Sequence, residues 1–189
     1  MNKEAKAGLR RTVRAAFPGD DERQAASEAM CRALMDWEVY RRAKTVGAYV
    51  PLRREADVWP VLQEVLSSGR TLVLPRVERE GEMTLRRVEE LQQLIPGTYG
   101  IPEPAPDAPV MAAEALELLI VPLEAIDRRG MRLGKGGGYY DRLLPHTDCL
   151  TVGAVLPWQW VESVPCDVWD RPLDAAADPD GIHLFTGKD

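Results

Sequence analysis

The segment Arg132-Leu-Gly-Lys-Gly-Gly-Gly-Tyr-Tyr-Asp141 holds the residue types from which an anion site is made. Gly134, Gly136, Gly137 and Gly138 remove side chains, so backbone N–H groups can approach an anion closely. A helix starting near Tyr139 would add the partial positive charge of its N-terminus. Arg132 and Lys135 bring full charges to the same turn. In chemical terms this is a phosphate cradle; the plain alternative is a flexible glycine turn joining a strand to a helix. Neither standard cradle fits. A Walker A loop needs four residues between its first Gly and Gly-Lys, then Ser or Thr, whereas Gly130 to Gly134 encloses three and Gly136 follows the lysine. The dinucleotide fingerprint from Gly134 would need glycine where Tyr139 stands.

The elements that must position this loop are read from periodicity. Residues 3–16 form a short basic helix stopped by Pro18. From Asp21 to Arg42, Ala26, Met30, Ala33, Leu34 and Trp37 make one buried helical stripe. Thr45–Val50 reads as a strand closed by Pro51. Asp57 is the expected N-cap of a helix that buries Val58, Val61, Leu62, Val65 and Leu66 and ends at Gly69. Buried-type strands follow at Thr71–Leu74 and Leu118–Val121, with an alternating piece at Met83–Val88 and a helical reading for Met111–Leu116. Further strands are expected at Thr151–Leu156, Leu173–Ala177 and Ile182–Phe185. The stretch from Pro96 to Pro109 holds five of the fifteen prolines and reads as a rigid surface loop. Strands alternating with helices predict one α/β domain over residues 1–189, a mostly parallel sheet covered on both faces.

Composition bounds the function. With 189 residues, 45% hydrophobic and 29% charged, the chain has the balance of a globular protein with one core. Its formal charge of −6 argues against coating nucleic acid or an anionic membrane. The longest apolar run, Leu118–Leu123, is far short of a membrane span, and the charged first twenty residues carry no secretory signal. Cys31, Cys149 and Cys166 form neither a disulfide framework nor a zinc motif, so a reducing cytoplasm is expected. Two windows oppose the acidic whole: residues 1–14 carry +4 and residues 127–142 carry +3, leaving −13 on the rest.

The run 132–141, preceded by Val121-Pro and Asp127-Arg-Arg-Gly130, resembles the signature of the 5-formyltetrahydrofolate cyclo-ligase family, also called methenyltetrahydrofolate synthetases. Lys6-x-x-Leu-Arg10 resembles the family's basic helix, Tyr49 to Glu55 its substrate segment, and Tyr99-Gly-Ile-Pro-Glu-Pro104 its Gly-Ile-x-Glu-Pro loop. The resemblance implies a three-layer α/β/α fold, ATP with Mg²⁺, and a reduced folate as substrate. It implies that Lys6, Arg10, Arg132, Leu133, Gly134, Lys135, Gly136, Gly137, Gly138, Tyr139 and Tyr140 hold ATP. Arg132 and Lys135 would be catalytic, and Asp141 and Asp170 would hold Mg²⁺. Val50, Glu55 and Lys135, Gly136, Gly137, Gly138 and Tyr139 would line the folate pocket. Partners would be small molecules, with no nucleic acid and no membrane, and the chain is expected to act as a monomer.

Other roles stay open for several of these residues. Asp141 can serve simply as an N-terminal helix charge, Glu55 as a helix-entry charge beside Asp57, and Tyr139 and Tyr140 as core. Arg128 and Arg129 read as solvated turn residues and Trp37 as core. The tail departs from the family pattern: Trp169 stands where a histidine is usual before Asp170, and Ala177-Asp178 where Thr-Glu is usual. That leaves open a divergent substrate, such as another formylated or amide-bearing metabolite, or weakened activity. A non-catalytic RNA-binding or scaffolding protein is the reading from a different class; no aromatic RNA-binding motif supports it.

Overall fold

The computed structural model describes residues 2–78 and 82–185, at Tyr99 for the backbone only. In chain order the elements are α1 (Asn2–Ala15), α2 (Asp20–Asp36), α3 (Glu38–Arg42), β1 (Thr45–Gly47), α4 (Trp59–Ser67), β2 (Thr71–Val77) and β3 (Met83–Val88). Then follow β4 (Ile95–Pro96), β5 (Pro102–Glu103), β6 (Val110–Met111), β7 (Leu118–Val121), β8 (Ala125–Ile126) and β9 (Arg132–Leu133). The chain continues through α5 (Tyr139–Leu143), β10 (Leu150–Ala154), β11 (Ala175–Asp178) and β12 (Gly181–Leu184).

Eight strands form one sheet in the order β12-β11-β10-β7-β1-β2-β3-β6, while β4-β5 and β8-β9 are separate two-stranded ribbons. From β11 to β2 every neighbouring pair is parallel; β12, β3 and β6 add antiparallel edges. Val46 in β1 sits opposite Leu72 on one side and Leu118 on the other. The chain leaves β1 through α4 to β2 on one side, and β7 with β10 builds the sheet on the other. The carboxyl ends of β1 and β7 are therefore a topological switch point, where open α/β sheets leave a crevice.

The central strands are continuously apolar because both faces are covered, and alternation assigns each residue to one face. On one face Met30, Leu34, Tyr40, Val61, Leu62 and Val65 of α2 to α4 pack on Val46, Leu72, Leu74, Leu118 and Ile120. On the other, Val73, Leu119, Val121 and Ala176 meet Leu123, Ile126, Leu144, Val155 and Leu173, with Tyr140 and Leu143 of α5 alongside. The mostly parallel α/β arrangement expected from the sequence is the one observed. Its second layer is thin, made of the short α5 and irregular segments. A third cluster, Val13, Ala125, Leu133 and Val164, fastens α1 to the β8–β9 ribbon. No helix of the described residues is long and apolar enough to cross a membrane.

Several local expectations are corrected. The helix expected over 21–42 breaks at Trp37, whose extended ψ of 129° starts α3 and turns Tyr40 inward; Arg70 then covers its ring at 4.4 Å. The strand expected to reach Val50 ends at Gly47, because Tyr49 turns away to donate its hydroxyl to the Ala56 carbonyl at 2.9 Å. Val58 rather than Asp57 is the N-cap of α4, although Asp57 still accepts the Trp59 N–H at 3.1 Å. Residues 111–116 are no α-helix: Met111 pairs with Leu85 in the sheet, and one 3-10 turn at Ala113–Ala115 leads Leu116 into the core. At the C-terminal end, the ladder keeps Leu150–Ala154 and Ala175–Asp178, while Leu173 bonds Gly130 through its N–H. Arg128 and Arg129 are exposed yet partnered, Arg128 at 4.0 Å from the Trp160 ring centroid and Arg129 on Asp127.

Candidate active site

A cavity of about 410 Å³ opens at the carboxyl ends of the central strands. Tyr49, Val50, Leu52 and Glu55 follow β1, Pro122 and Leu123 follow β7, and Pro75, Val77 and Met83 come from the β2–β3 hairpin. Ile101, Pro102 and Glu103 of the proline-rich loop form another wall. The rest is Lys6 and Arg10 of α1, the run Arg132 to Asp141, and Asp170. Every site residue expected from the sequence lines this one space.

The glycine-rich loop is held from below by a buried carboxylate. Asp127, with no exposure, accepts the N–H groups of Arg129 at 2.9 Å, Met131 at 3.2 Å and Val164 at 2.9 Å, and pairs with the Arg129 guanidinium at 2.6 Å. Burial alone would push its carboxyl up, but these donors prevail and hold it below the ordinary carboxylate value. The β8–β9 ribbon is fixed as a result, and β9 delivers Arg132 to the cavity wall. Arg10 Nε donates to the Gly134 carbonyl at 2.8 Å, tying α1 to the loop. Gly138 is the N-cap of α5 with φ of +70°, a left-handed conformation that favours glycine. Because α5 spans only five residues, its dipole is small, and the side chains carry most of the positive charge.

Those cations are paired with carboxylates. Lys6 Nζ lies 2.8 Å from Asp167 and 2.6 Å from Asp170. Burial lowers the Lys6 pKa, yet the two carboxylates more than restore it and the group sits above its ordinary value. Arg132, with only 5% of its side chain exposed, pairs with Asp141 at 2.6 Å, and its Nε is buried without an acceptor among the described residues. Lys135 Nζ stands 3.2 Å from Glu55 and 3.9 Å from Glu124. Burial pushes the Glu55 carboxyl up, against the pull of Lys135 and the Leu52 N–H that it accepts at 2.8 Å. Burial likewise raises the Tyr140 and Tyr49 hydroxyls. An entering polyanion would thus exchange partners with carboxylates already holding the lysines and arginines in place.

The acid set fits Mg²⁺ accompanied by phosphates. Among the described residues no three His, Cys, Asp or Glu side chains gather to hold a metal. Asp141 uses Oδ1 toward Arg132, and Asp170 uses Oδ2 toward Lys6 and the Asp167 N–H, leaving one oxygen of each for another bond. Mg²⁺ commonly takes one or two carboxylates and completes its shell with water and substrate phosphates. Beside Asp170, Val168 and Trp169 are 97% and 68% exposed, so Trp169 takes no part in the buried network.

The sequence reading missed Glu124, Asp127 and Asp167 as positioning residues and Glu103 and Met83 as cavity walls. Asp127 and Glu103 stood inside quoted motifs and carried that signal. Asp167 and Glu124 could not be singled out in order along the chain, since their value lies in contacts with Lys6 and Arg14, 161 and 110 residues away.

Parallel strands that end on a cation-walled cavity at their switch point define the class, a layered α/β protein with its working residues on the loops after the strands. Residues 2–179 match the 5-formyltetrahydrofolate cyclo-ligase family, and the chain belongs to that family. It is 29% identical over 180 residues to the 5-formyltetrahydrofolate cyclo-ligase of Escherichia coli (strain K12), covering 92% of this chain and 98% of that one. To the mitochondrial 5-formyltetrahydrofolate cyclo-ligase of Arabidopsis thaliana it is 31% identical over 210 residues, covering 95% and 76%. The NMR structure of Aquifex aeolicus 5,10-methenyltetrahydrofolate synthetase superimposes with a TM-score of 0.86 at 33% identity, covering 97% of this chain and 95% of that one.

Proposed function

We propose that the protein, a single domain acting as a cytoplasmic monomer, converts 5-formyltetrahydrofolate to 5,10-methenyltetrahydrofolate with ATP and Mg²⁺, releasing ADP and phosphate. The observation that carries this reading is the convergence of the glycine-rich loop, Lys6, Arg10, Val50, Glu55, Asp141 and Asp170 on one cavity in a chain of this family. The three cysteines are unbridged, as a reducing compartment would keep them.

In the reaction the formyl oxygen attacks the γ-phosphorus of ATP as the bond to ADP breaks, giving a phosphorylated iminium on N5. N10 then adds to the formyl carbon, loses its proton, and phosphate leaves with the oxygen. Little acid–base work falls to the protein, and neither His146 nor His183 lines the cavity. Positioning and charge neutralisation carry the rate in phosphoryl transfer. Arg132 and Lys135 neutralise the transferring group, while Lys6, Arg10 and the backbone from Leu133 to Tyr140 hold the nucleotide. Val50, Glu55 and the inner side of the loop hold the folate. Asp141 and Asp170 would hold Mg²⁺, which supplies charge neutralisation across the phosphates.

Purified protein given 5-formyltetrahydrofolate, ATP and Mg²⁺ should develop the absorbance of the methenyl product and stop when the metal is chelated. Absence of turnover by folded protein overturns the reading. Thermal stabilisation by ATP without stabilisation by the folate would point instead to another formylated substrate.

A further inference from the structure

A tight turn displays two apolar side chains at the lip of the cavity. Asp170 accepts the Asp167 N–H at 2.8 Å, and its own N–H returns to the Asp167 carbonyl at 3.0 Å, so residues 167–170 close on themselves. Helix α1 fastens that turn. Lys6 Nζ binds both carboxylates, and Asn2 Nδ2 donates to the Cys166 carbonyl at 2.9 Å and to Asp167 Oδ1 at 2.6 Å. Val168 and Trp169 occupy the tip, 97% and 68% exposed. The other four tryptophans are placed differently: Trp37, Trp59 and Trp158 pack on the main core, and Trp160 on His183 and Phe185. Among the described residues no ring packs on Trp169. A loose loop would fold its tryptophan inward to bury it; this turn, held at both ends, keeps the indole outside.

We propose that Trp169 stacks on the adenine of ATP and so fixes the nucleoside end of that substrate. The inference rests on the ATP reading above. A cavity of about 410 Å³ is at the lower end of the range for one small ligand, roughly 300–1,000 Å³, yet both substrates must meet in it. The phosphates have to lie inside, against Lys6, Lys135 and the glycine-rich loop, where the formyl oxygen reaches them. The base is the part of ATP left for the lip. Lys6 and Asp170 stand on the cavity wall, and the Trp169 Cα is one residue, about 3.8 Å, beyond Asp170. A base extending outward past phosphates held by Lys6 therefore meets the indole, whose π-face takes a purine by stacking.

The test compares ATP with inorganic tripolyphosphate, which carries the charge without the base, each with Mg²⁺, by calorimetry and by tryptophan emission, in the wild type, Trp169→Phe and Trp169→Ala. Both substitutions fall on an exposed turn tip and leave the Lys6 ion pairs in place, so both variants should fold. Trp169→Ala should bind ATP about tenfold more weakly, the loss of one base stack, and raise KM for ATP with kcat and KM for the folate within about twofold of wild type. Trp169→Phe should keep most of the ATP affinity but lose most of the emission quenching that ATP causes in the wild type. Tripolyphosphate should bind all three proteins alike. The proposal is overturned if Trp169→Ala binds ATP as the wild type does, if it weakens tripolyphosphate as much as ATP, or if Trp169→Phe loses as much affinity as Trp169→Ala. A shift from dimer to monomer in Trp169→Ala at unchanged ATP affinity would assign the tip to a second copy of the chain and overturn it as well. ATP binding and turnover that ignore Trp169 remove this inference alone; no ATP binding and no methenyl product from folded wild type remove the parent reading with it.

Discussion

Lys135 Nζ lies 3.2 Å from Glu55 Oε1, so the middle of the glycine-rich loop and the segment leaving β1 meet as an ion pair at the cavity wall. The pair joins the residue expected to meet the transferring phosphoryl group to one expected to meet the folate. Lys135→Ala should lower kcat/KM by about 10²–10³-fold, the usual consequence of losing a transition-state cation. Because Lys135 is partly exposed, the stability change should stay within about 1 kcal/mol. Steady-state kinetics beside thermal unfolding separates the two, and equal loss of both would make Lys135 a structural residue.

The raised pKa of Glu55 gives a pH dependence of known sign. Folding favours its protonated form, so its contribution to stability is complete below its ordinary carboxylate pKa and is lost as pH rises through the raised value. Glu55→Gln should therefore flatten the stability profile above about pH 4.5 and raise Tm at neutral pH by a few degrees, while weakening folate binding. A lower Tm for this variant at pH 7 would show that the charged pair with Lys135 is net stabilising instead.

Arg132 and Asp141 should separate charge from hydrogen bonding. Asp141→Asn keeps an acceptor near the Arg132 guanidinium and should need several-fold more Mg²⁺ for half-maximal rate, with Tm nearly unchanged. Asp141→Ala leaves the buried guanidinium without a counter-charge and should cost about 1–3 kcal/mol. Activity titrated against Mg²⁺ and denaturant unfolding check both variants.

Asp127 should matter for stability before anything else. Removing its carboxylate leaves the backbone N–H groups of Arg129, Met131 and Val164 without their acceptor in the base of the loop, so Asp127→Ala should cost about 3 kcal/mol, or roughly 6–12 °C in Tm. Its lowered pKa means that the wild-type stabilisation is present above the ordinary carboxylate value and is lost as pH falls through the lower folded value. Acid unfolding of the wild type should show that loss, and the alanine variant should not.

Gly138→Ala tests the loop backbone. A side chain at φ of +70° costs about 1–2 kcal/mol, and its Cβ would stand 2.8 Å from Arg142 Nη1. KM for ATP should rise more than KM for the folate. An unchanged KM for ATP would mean that the nucleotide does not rest on this turn.

Much of the fold was legible because the central strands are uniformly apolar and α2 and α4 carry periodic stripes, both local patterns. The break at Trp37 and the early end of β1 were not. Each is set by where a tyrosine finds its partner, Tyr40 on Arg70 in a distant segment and Tyr49 on the Ala56 carbonyl further along its own loop. The proline-rich loop looked like surface covering, yet it brings Glu103 and Ile101 to the cavity wall.

The sequence by itself determined the chemical inventory: a run of glycines with Arg132 and Lys135, two basic windows in an acidic chain, and carboxylates after them. What only the tertiary structure decided is how those charges are shared. Lys6 finds Asp167 and Asp170, Arg14 finds Glu124, and Lys135 finds Glu55 across long separations in the chain. Side-chain type and spacing are local properties that can be read in order. An ion pair depends on two surfaces arriving within a few ångströms, and the packing of α1 and the β8–β9 ribbon around the switch point brings them there.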